Sequence, residues 1–346
     1  MAPPKTQEAE AFEKYYLDRR DKELPENPEH RALVETCVRD GYVVIPSVFT
    51  AAECEQAKAE IDRLHGERPM VGRSQFEGRK TNRMWALIGK SRVFDKFVLV
   101  PQVHALNEYF LTDEYLIYIL SSIVIQAGEK AQFLHHDDAG TRMPRPRPPM
   151  SVGTMICLDA FTPTNGATRI VPGSHEWGDG RIAYDEQAIP AVAPQGSVIY
   201  FLGTTWHSGG ANQDEQGKAR YAITAQYCMP WLRPFEDLKT AVDPRRVLSG
   251  EIDERIVEMM GYRTVEPYWG VGKSTTSERV LRLLREFGWT SLTADVVDGM
   301  NPIKGAQRLV RWLQGPVETN QPGFAKEKGV TDKWFRERYS KESSKL

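Results

Sequence analysis

Apolar residues recur at helical spacing in two early stretches, residues 30–40 (Leu33, Val34, Cys37) and 51–64 (Ala57, Ile61, Leu64). Steps of three and four residues align side chains along one helix face, so both stretches are predicted helices. Between them, Gly41-Tyr42-Val43-Val44-Ile45-Pro46 is a short apolar run closed by Gly and Pro, which predicts a strand. A further helix is predicted over 103–111. From Glu114 the pattern changes to short runs separated by Gly and Pro. Strands are predicted over 115–125, 131–136, 151–160, 168–171, 197–202 and 220–229. Such runs without intervening helices predict an antiparallel sandwich or barrel. Residues 142–149, Arg-Met-Pro-Arg-Pro-Arg-Pro-Pro, cannot form a central strand, because each proline removes a ladder donor. Beyond 235 the spacing is helical again, over 250–260, 276–287 and 301–313.

Three parts follow from this pattern. They are a charged arm over 1–28 with weak helical character, a strand-rich domain with N-terminal helices over 29–235, and a helical extension over 236–346. The extension is expected to cover a barrel mouth or to form a homodimer contact.

Composition narrows the partners. Of the 346 residues, 40% are hydrophobic and 27% charged, values ordinary for a globular protein. A net charge of -2 gives no long-range attraction to nucleic acid or anionic membrane, which favours a small-molecule substrate. No apolar run approaches the roughly 18 residues of a membrane span. Cys37, Cys54, Cys157 and Cys228 form no CxxC pair and read as reduced, buried thiols of an intracellular protein. The first residues lack the apolar core of a signal peptide. The last three, Ser344-Lys345-Leu346, match a peroxisomal import signal. They predict an import receptor as partner and a location in the peroxisomal matrix, or else in the cytoplasm.

The chemistry concentrates in Gln132-Phe133-Leu134-His135-His136-Asp137-Asp138 and in Trp206-His207-Ser208-Gly209-Gly210. On a strand, a histidine and a carboxylate two residues apart point the same way. A distant histidine in a Gly-rich turn can close a three-ligand face. Two His and one carboxylate with the opposite side open form the ligand set of non-haem Fe(II) oxygenases. Spacing alone leaves two candidate pairs, His135-x-Asp137 and His136-x-Asp138. His175 is a rival third ligand, and His30, His65 and His104 read as surface residues.

Taken together, Asp40–Ile45, Gln132-x-x-His135-x-Asp137, the run Asn165–His175 and Trp206–Asn212 make the chain resemble the phytanoyl-CoA dioxygenase family of Fe(II)/2-oxoglutarate-dependent oxygenases. The likeness spans about residues 40 to 233. It implies a mainly β fold with flanking helices, built on a double-stranded β-helix (jelly-roll) core. The family places Gln three residues before its ligating histidine, which selects His135, Asp137 and His207 as metal ligands. His136 and Asp138 then face away or orient the ligands. The segment around His175 becomes a structural turn.

The resemblance further implies Fe(II) as cofactor, with 2-oxoglutarate and O2 as cosubstrates. Arg220, 13 residues after His207, stands where the family holds the far carboxylate of 2-oxoglutarate, which a guanidinium can grip bidentately. Gln132 and Thr168 are candidate helpers, and Arg83 is a weaker one. Trp85, Trp177 and Trp206 could wall a substrate cavity. The expected reaction is hydroxylation of an aliphatic C–H of a small organic or acyl(-CoA) substrate, with 2-oxoglutarate decarboxylated to succinate. Because Asp137 is present, no coordination position is freed for halide, and halogenation is disfavoured. Arg142, Arg145 and Arg147 either meet CoA phosphates or form a solvated Pro-rich loop, the second being the plainer reading. The alternative function is oxidative tailoring (hydroxylation, desaturation or rearrangement) of a terpenoid, alkaloid or polyketide. A metal-free jelly-roll binding protein is disfavoured by the intact ligand set.

Overall fold

Helix α1, Pro28–Asp40, starts where the Asn27 side chain accepts the Glu29 and His30 N–H groups and ends at Gly41, whose φ of 80° only glycine adopts freely. It delivers β1 (Tyr42–Ile45). Helix α2, Ala51–His65, opens with a reciprocal capping box between Thr50 and Glu53. Strand β2 (Thr81–Met84) and helix α3 (Pro101–Phe110) follow. Then come β3 (Leu116–Ile125), β4 (Ser151–Cys157), β5 (Thr168–Ile170), β6 (Ile189–Pro190), β7 (Val198–Leu202), β8 (His207–Gly209) and β9 (Arg220–Cys228). This computed structural model describes residues 22–263, apart from 68, 73 and 142.

The strands form two antiparallel sheets, a six-stranded one in the order β1-β7-β4-β9-β3-β2 and a three-stranded one in the order β6-β5-β8. Alternation along the large sheet separates two cores. Val198, Tyr200 and Leu202 of β7, with Ile223, Ala225 and Tyr227 of β9, pack outward with Val34, Ile61 and Leu106 of the helices. Ile199, Phe201 and Ala222 pack inward with Ile170 of β5 and with Phe161. Period-2 patterning thus gives each strand one face for the helices and one for the barrel interior. The result is the antiparallel sandwich that the pattern predicted, and the jelly roll with flanking helices that the resemblance implied. A fully buried side chain such as Ile156 contributes about 2 kcal/mol by leaving water.

Several boundaries differ from expectation. Residues 131–136 make no strand, only an isolated antiparallel bridge between His135 and His207. The Gln132 N–H meets the Gly209 carbonyl at 2.9 Å and the His135 N–H meets the His207 carbonyl at 2.9 Å, so three residues on one side face two on the other. That mismatch breaks the ladder. Asp137 consequently opens a 3-10 turn, Asp137–Thr141, rather than continuing a strand. His207 was expected in a turn but begins β8, which pairs with β5. Strand β2 was not foreseen; it pairs with β3 although its sequence is polar. Beyond 235, the expected helix over 250–260 is instead a short turn of α-helix, Glu254–Val257, followed by a π turn, Glu258–Tyr262. The helices expected over 276–287 and 301–313 lie outside the described residues, as do most of the N-terminal arm and the terminal Ser344-Lys345-Leu346.

All four cysteines are buried and free. No described helix is long and apolar enough to cross a membrane.

Candidate metal and cosubstrate site

His135, Asp137 and His207 converge at one end of the barrel interior, with their potential ligand atoms within 4.8 Å of one another. Both Nε2 atoms stand 3.7 Å from Asp137 Oδ1. Each ring is locked from behind. His135 Nδ1 lies 2.9 Å from the Phe133 carbonyl and His207 Nδ1 lies 3.0 Å from the Thr205 carbonyl. A carbonyl can only accept, so each Nδ1 carries the proton and each Nε2 offers a lone pair to the cluster. Burial, then the second imidazole, pushes the His135 pKa down to about 4, so its ring stays neutral at physiological pH. Gln226 Nε2 donates to Asp137 Oδ2 at 2.9 Å, leaving Oδ1 toward the histidines. Neutral nitrogen, nitrogen and a single carboxylate oxygen suit one divalent transition-metal ion.

The overlapping pair behaves differently. Asp138 is 2% exposed and accepts from Arg147 Nη1 (2.8 Å), the Met150 N–H (2.8 Å) and Ser151 Oγ (2.5 Å). It is a structural carboxylate that pulls the chain into its turn. The His136 ring packs edge-on to Trp206, 5.2 Å between centroids. His175 Nε2 contacts the Val38 carbonyl at 2.9 Å, away from the cluster. His104 is not a plain surface residue, because its Nε2 reaches the Val98 carbonyl and its ring packs on Tyr115.

Arg220 lies at the buried start of β9, on the same inward face as Ala222 and Gln226. Its guanidinium sits 4.2 Å from the centre of the Phe161 ring, and Nη2 donates to the Gly166 carbonyl at 2.7 Å. Its Nε and Nη1 have no partner, although the side chain is 2% exposed. Burial lowers its pKa to about 10, still charged at neutral pH. An unpaired buried cation with two free donors is costly unless an anion completes it. A carboxylate with room for two N–H···O bonds fits.

Arg83 faces the same interior, and its charge adds to burial in depressing Arg220. Its Nε is taken by the Glu77 carbonyl at 2.9 Å. Gln132 uses both ends of its amide, accepting from the Gly209 N–H at 2.8 Å and donating to the Phe76 carbonyl. Thr168 is 4% exposed on β5, on the inward side with Ile170. Of the three tryptophans singled out, Trp177 is covered by the Arg181 guanidinium at 3.6 Å and Trp206 packs on His136.

The Pro-rich loop is solvent-exposed at Met143, Pro144, Pro146 and Pro148, but its two described arginines are turned inward to protein partners. Arg145 is 8% exposed and donates to the Ser174 and Thr204 carbonyls, while Arg147 is paired with Asp138. Arg142 lies outside the described residues.

Two functional neighbours were not foreseen in the sequence. Gln226 could have been found, since it lies six residues from Arg220 and period 2 puts both on one face. Phe201, whose ring rests 4.4 Å from that of His207, carried no signal beyond being apolar.

A jelly roll with an open two-histidine, one-carboxylate face above a buried arginine defines a non-haem metal oxygenase. The family described as Phytanoyl-CoA dioxygenase (PhyH) matches residues 37–220. Curated relatives include the dioxygenase trt7 of Aspergillus terreus, 30% identical over 251 residues, covering 67% of this chain and 86% of that protein. Another is the dioxygenase olcK of Penicillium canescens, 28% identical over 247 residues, covering 67% and 80%. Among solved structures, the epimerase SnoN in complex with Fe3+, alpha ketoglutarate and nogalamycin RO shares 22% identity. Its TM-score is 0.48, with 59% of this chain and 84% of that one covered. The chain belongs to the phytanoyl-CoA dioxygenase family of Fe(II)/2-oxoglutarate-dependent oxygenases.

Proposed function

We propose that His135, Asp137 and His207 hold a single Fe(II), that Arg220 receives the far carboxylate of 2-oxoglutarate, and that the enzyme hydroxylates an aliphatic C–H of a small organic substrate. The balanced reaction is R–H + 2-oxoglutarate + O2 → R–OH + succinate + CO2. Bound iron would activate O2, the four-electron oxidant, with 2-oxoglutarate and the substrate C–H each giving up two electrons. What supports this reading is an open three-donor face paired with a buried guanidinium that keeps two donors unpaired.

The protein's own part is positional. The Phe133 and Thr205 carbonyls fix both imidazoles with Nε2 toward the metal position. Gln226 holds one oxygen of Asp137 and thereby leaves the other as a single ligand atom. Phe161 and the surrounding core keep water from the Arg220 charge, which strengthens its grip on a carboxylate. Gln132 ties the loop carrying Phe76 to β8 beside the distal histidine. Thr168 and Arg83 share the inward face and complete the cosubstrate pocket.

The commitment of Arg145 and Arg147 to protein partners favours an uncharged small molecule, as in a tailoring pathway, over an acyl-CoA held by its phosphates. The test is succinate release from the Fe(II)-loaded protein, offered acyl-CoAs and free lipophilic compounds in parallel. Substrate-stimulated succinate that disappears in both His135→Ala and His207→Ala supports the reading. Undiminished release in either variant refutes it.

A further inference from the structure

Three irregularities meet beside the metal cluster on the Asp137 side. The first is a bulge in β3, where Ile117 pairs with Tyr227 and Ile119 with Gln226, so Tyr118 is an extra residue. Bulges re-aim side chains and concentrate next to active sites. Gln226, opposite Ile119, is the residue that holds Asp137. Tyr118 is therefore displaced beside Ile119, the residue paired with Gln226.

The second is Ala86, directly after Trp85, whose φ of 54° is unusual for a residue with a Cβ. The third is Glu236, a carboxylate only 7% exposed and without a salt bridge among the described residues. Its Oε1 accepts the Ala86 N–H and its Oε2 the Leu120 N–H, each at 3.0 Å, while its own N–H donates to the Tyr118 carbonyl at 3.1 Å. One residue therefore clamps the backbone beside Trp85, beside Tyr118 and, through the chain itself, beside Phe235.

These three rings assemble. Trp85 and Phe235 stand 5.4 Å apart at 33°, and Phe235 and Tyr118 stand 6.3 Å apart nearly edge-on. Phe235 is 64% exposed and adjoins half-buried Trp85 and Tyr118, so the cluster keeps an accessible aromatic face. We propose that Trp85, Tyr118 and Phe235 form the platform on which the apolar, ring-bearing part of the organic substrate lies, and that Glu236 is the positioning residue that holds the platform beside the metal. The proposal rests on the metal assignment above only for its location, and the two can fail separately.

The probe is neutral 2-naphthol, titrated against the full chain by ligand-observed NMR, first without metal and then with Mn(II) and 2-oxoglutarate. Mn(II) uptake is followed independently by its EPR signal. Removing one stacked ring is expected to weaken naphthol binding about three- to tenfold in Trp85→Leu and Phe235→Ala, with Mn(II) affinity unchanged. Glu236→Gln keeps the rings but loses one acceptor; it is expected to weaken naphthol to a similar degree, again without affecting Mn(II). Bound Mn(II) should broaden the naphthol lines in the parent. Naphthol affinity unchanged in the ring variants, or unchanged in Glu236→Gln, overturns the proposal. So does bound Mn(II) that leaves the naphthol lines sharp. Absence of Mn(II) uptake refutes the metal assignment instead, and the metal-free titration then decides the platform.

Discussion

Gln226 and Asp137, 89 residues apart in sequence, are joined by a 2.9 Å hydrogen bond that fixes which carboxylate oxygen faces the two histidines. Orienting partners of this kind are typically worth about 10- to 100-fold in metal affinity. Gln226→Leu should therefore weaken Mn(II) binding by that order while leaving the melting temperature nearly unchanged, because the side chain is only half-buried. Calorimetric titration of Mn(II) reads this directly, and unaltered affinity would remove Gln226 from the site.

The overlapping His-x-Asp pairs should separate cleanly. Asp138→Ala strands the Arg147 guanidinium and the Met150 N–H in the interior and should cost about 3–5 kcal/mol of stability. The folded fraction should still bind Mn(II). Asp137→Ala should do the reverse. Urea unfolding alongside metal titration distinguishes them, and the opposite pattern would exchange their roles.

Arg220→Met should have two effects of opposite sign. Loss of the charge-assisted bonds should weaken 2-oxoglutarate by about 100-fold. Loss of a buried cation with two unpaired donors should at the same time raise the melting temperature of the ligand-free protein. Thermal denaturation with and without 2-oxoglutarate checks both; a variant still stabilised by 2-oxoglutarate as the parent is would place its carboxylate elsewhere.

A methyl group at Gly153 would stand 2.4 Å from Phe201 Cζ, and the Phe201 ring already rests 4.4 Å from that of His207. Gly153→Ala should displace the ring toward the histidine, costing about 1–3 kcal/mol and loosening metal binding. Gly153→Ala with Phe201→Leu should recover affinity. Lack of recovery in the double variant would indicate a backbone cause.

Burial lifts the Glu236 pKa from its ordinary 4.5 to about 7, against the smaller opposing effect of the Ala86 and Leu120 N–H groups. Between those values the folded chain keeps a proton that the unfolded chain has lost. Glu236 therefore contributes stability below about pH 4.5 that is withdrawn as pH rises through 7, by about 3 kcal/mol at most. The stability difference between the parent and Glu236→Gln should shift against the parent from pH 5 to pH 8. A difference independent of pH would show that the carboxylate is not held protonated.

The strands were legible because short runs are separated by Gly and Pro, and the jelly roll because of the family resemblance; β7, apolar throughout, shows its two faces only in the packing. The ligand set was legible because the family's Gln132-x-x-His135-x-Asp137 pattern chooses between two His-x-Asp pairs that spacing leaves open, and because His207 precedes a Gly-Gly turn. The geometry that unites them was not. Periodicity predicts a strand through His135, yet the turn at Asp137 is imposed by Asp138 reaching Arg147, Met150 and Ser151, side-chain contacts that apolar periodicity does not register. The same holds for the Pro-rich loop, whose arginines looked solvent-facing until the Ser174 and Thr204 carbonyls came within reach. Strand β2 was missed because Thr81-Asn82-Arg83-Met84 owes its pairing to β3 rather than to its own apolar character.

On β9, Tyr227, Ala225 and Ile223 look toward the helices, while Gln226, Thr224, Ala222 and Arg220 look toward the chemistry. A lineage can therefore reshape the chamber at Ala222 and Thr224 without disturbing how that strand is anchored, while Arg220 and Gln226 between them keep the cosubstrate and metal in place. New specificity and inherited robustness lie interleaved along the same nine residues.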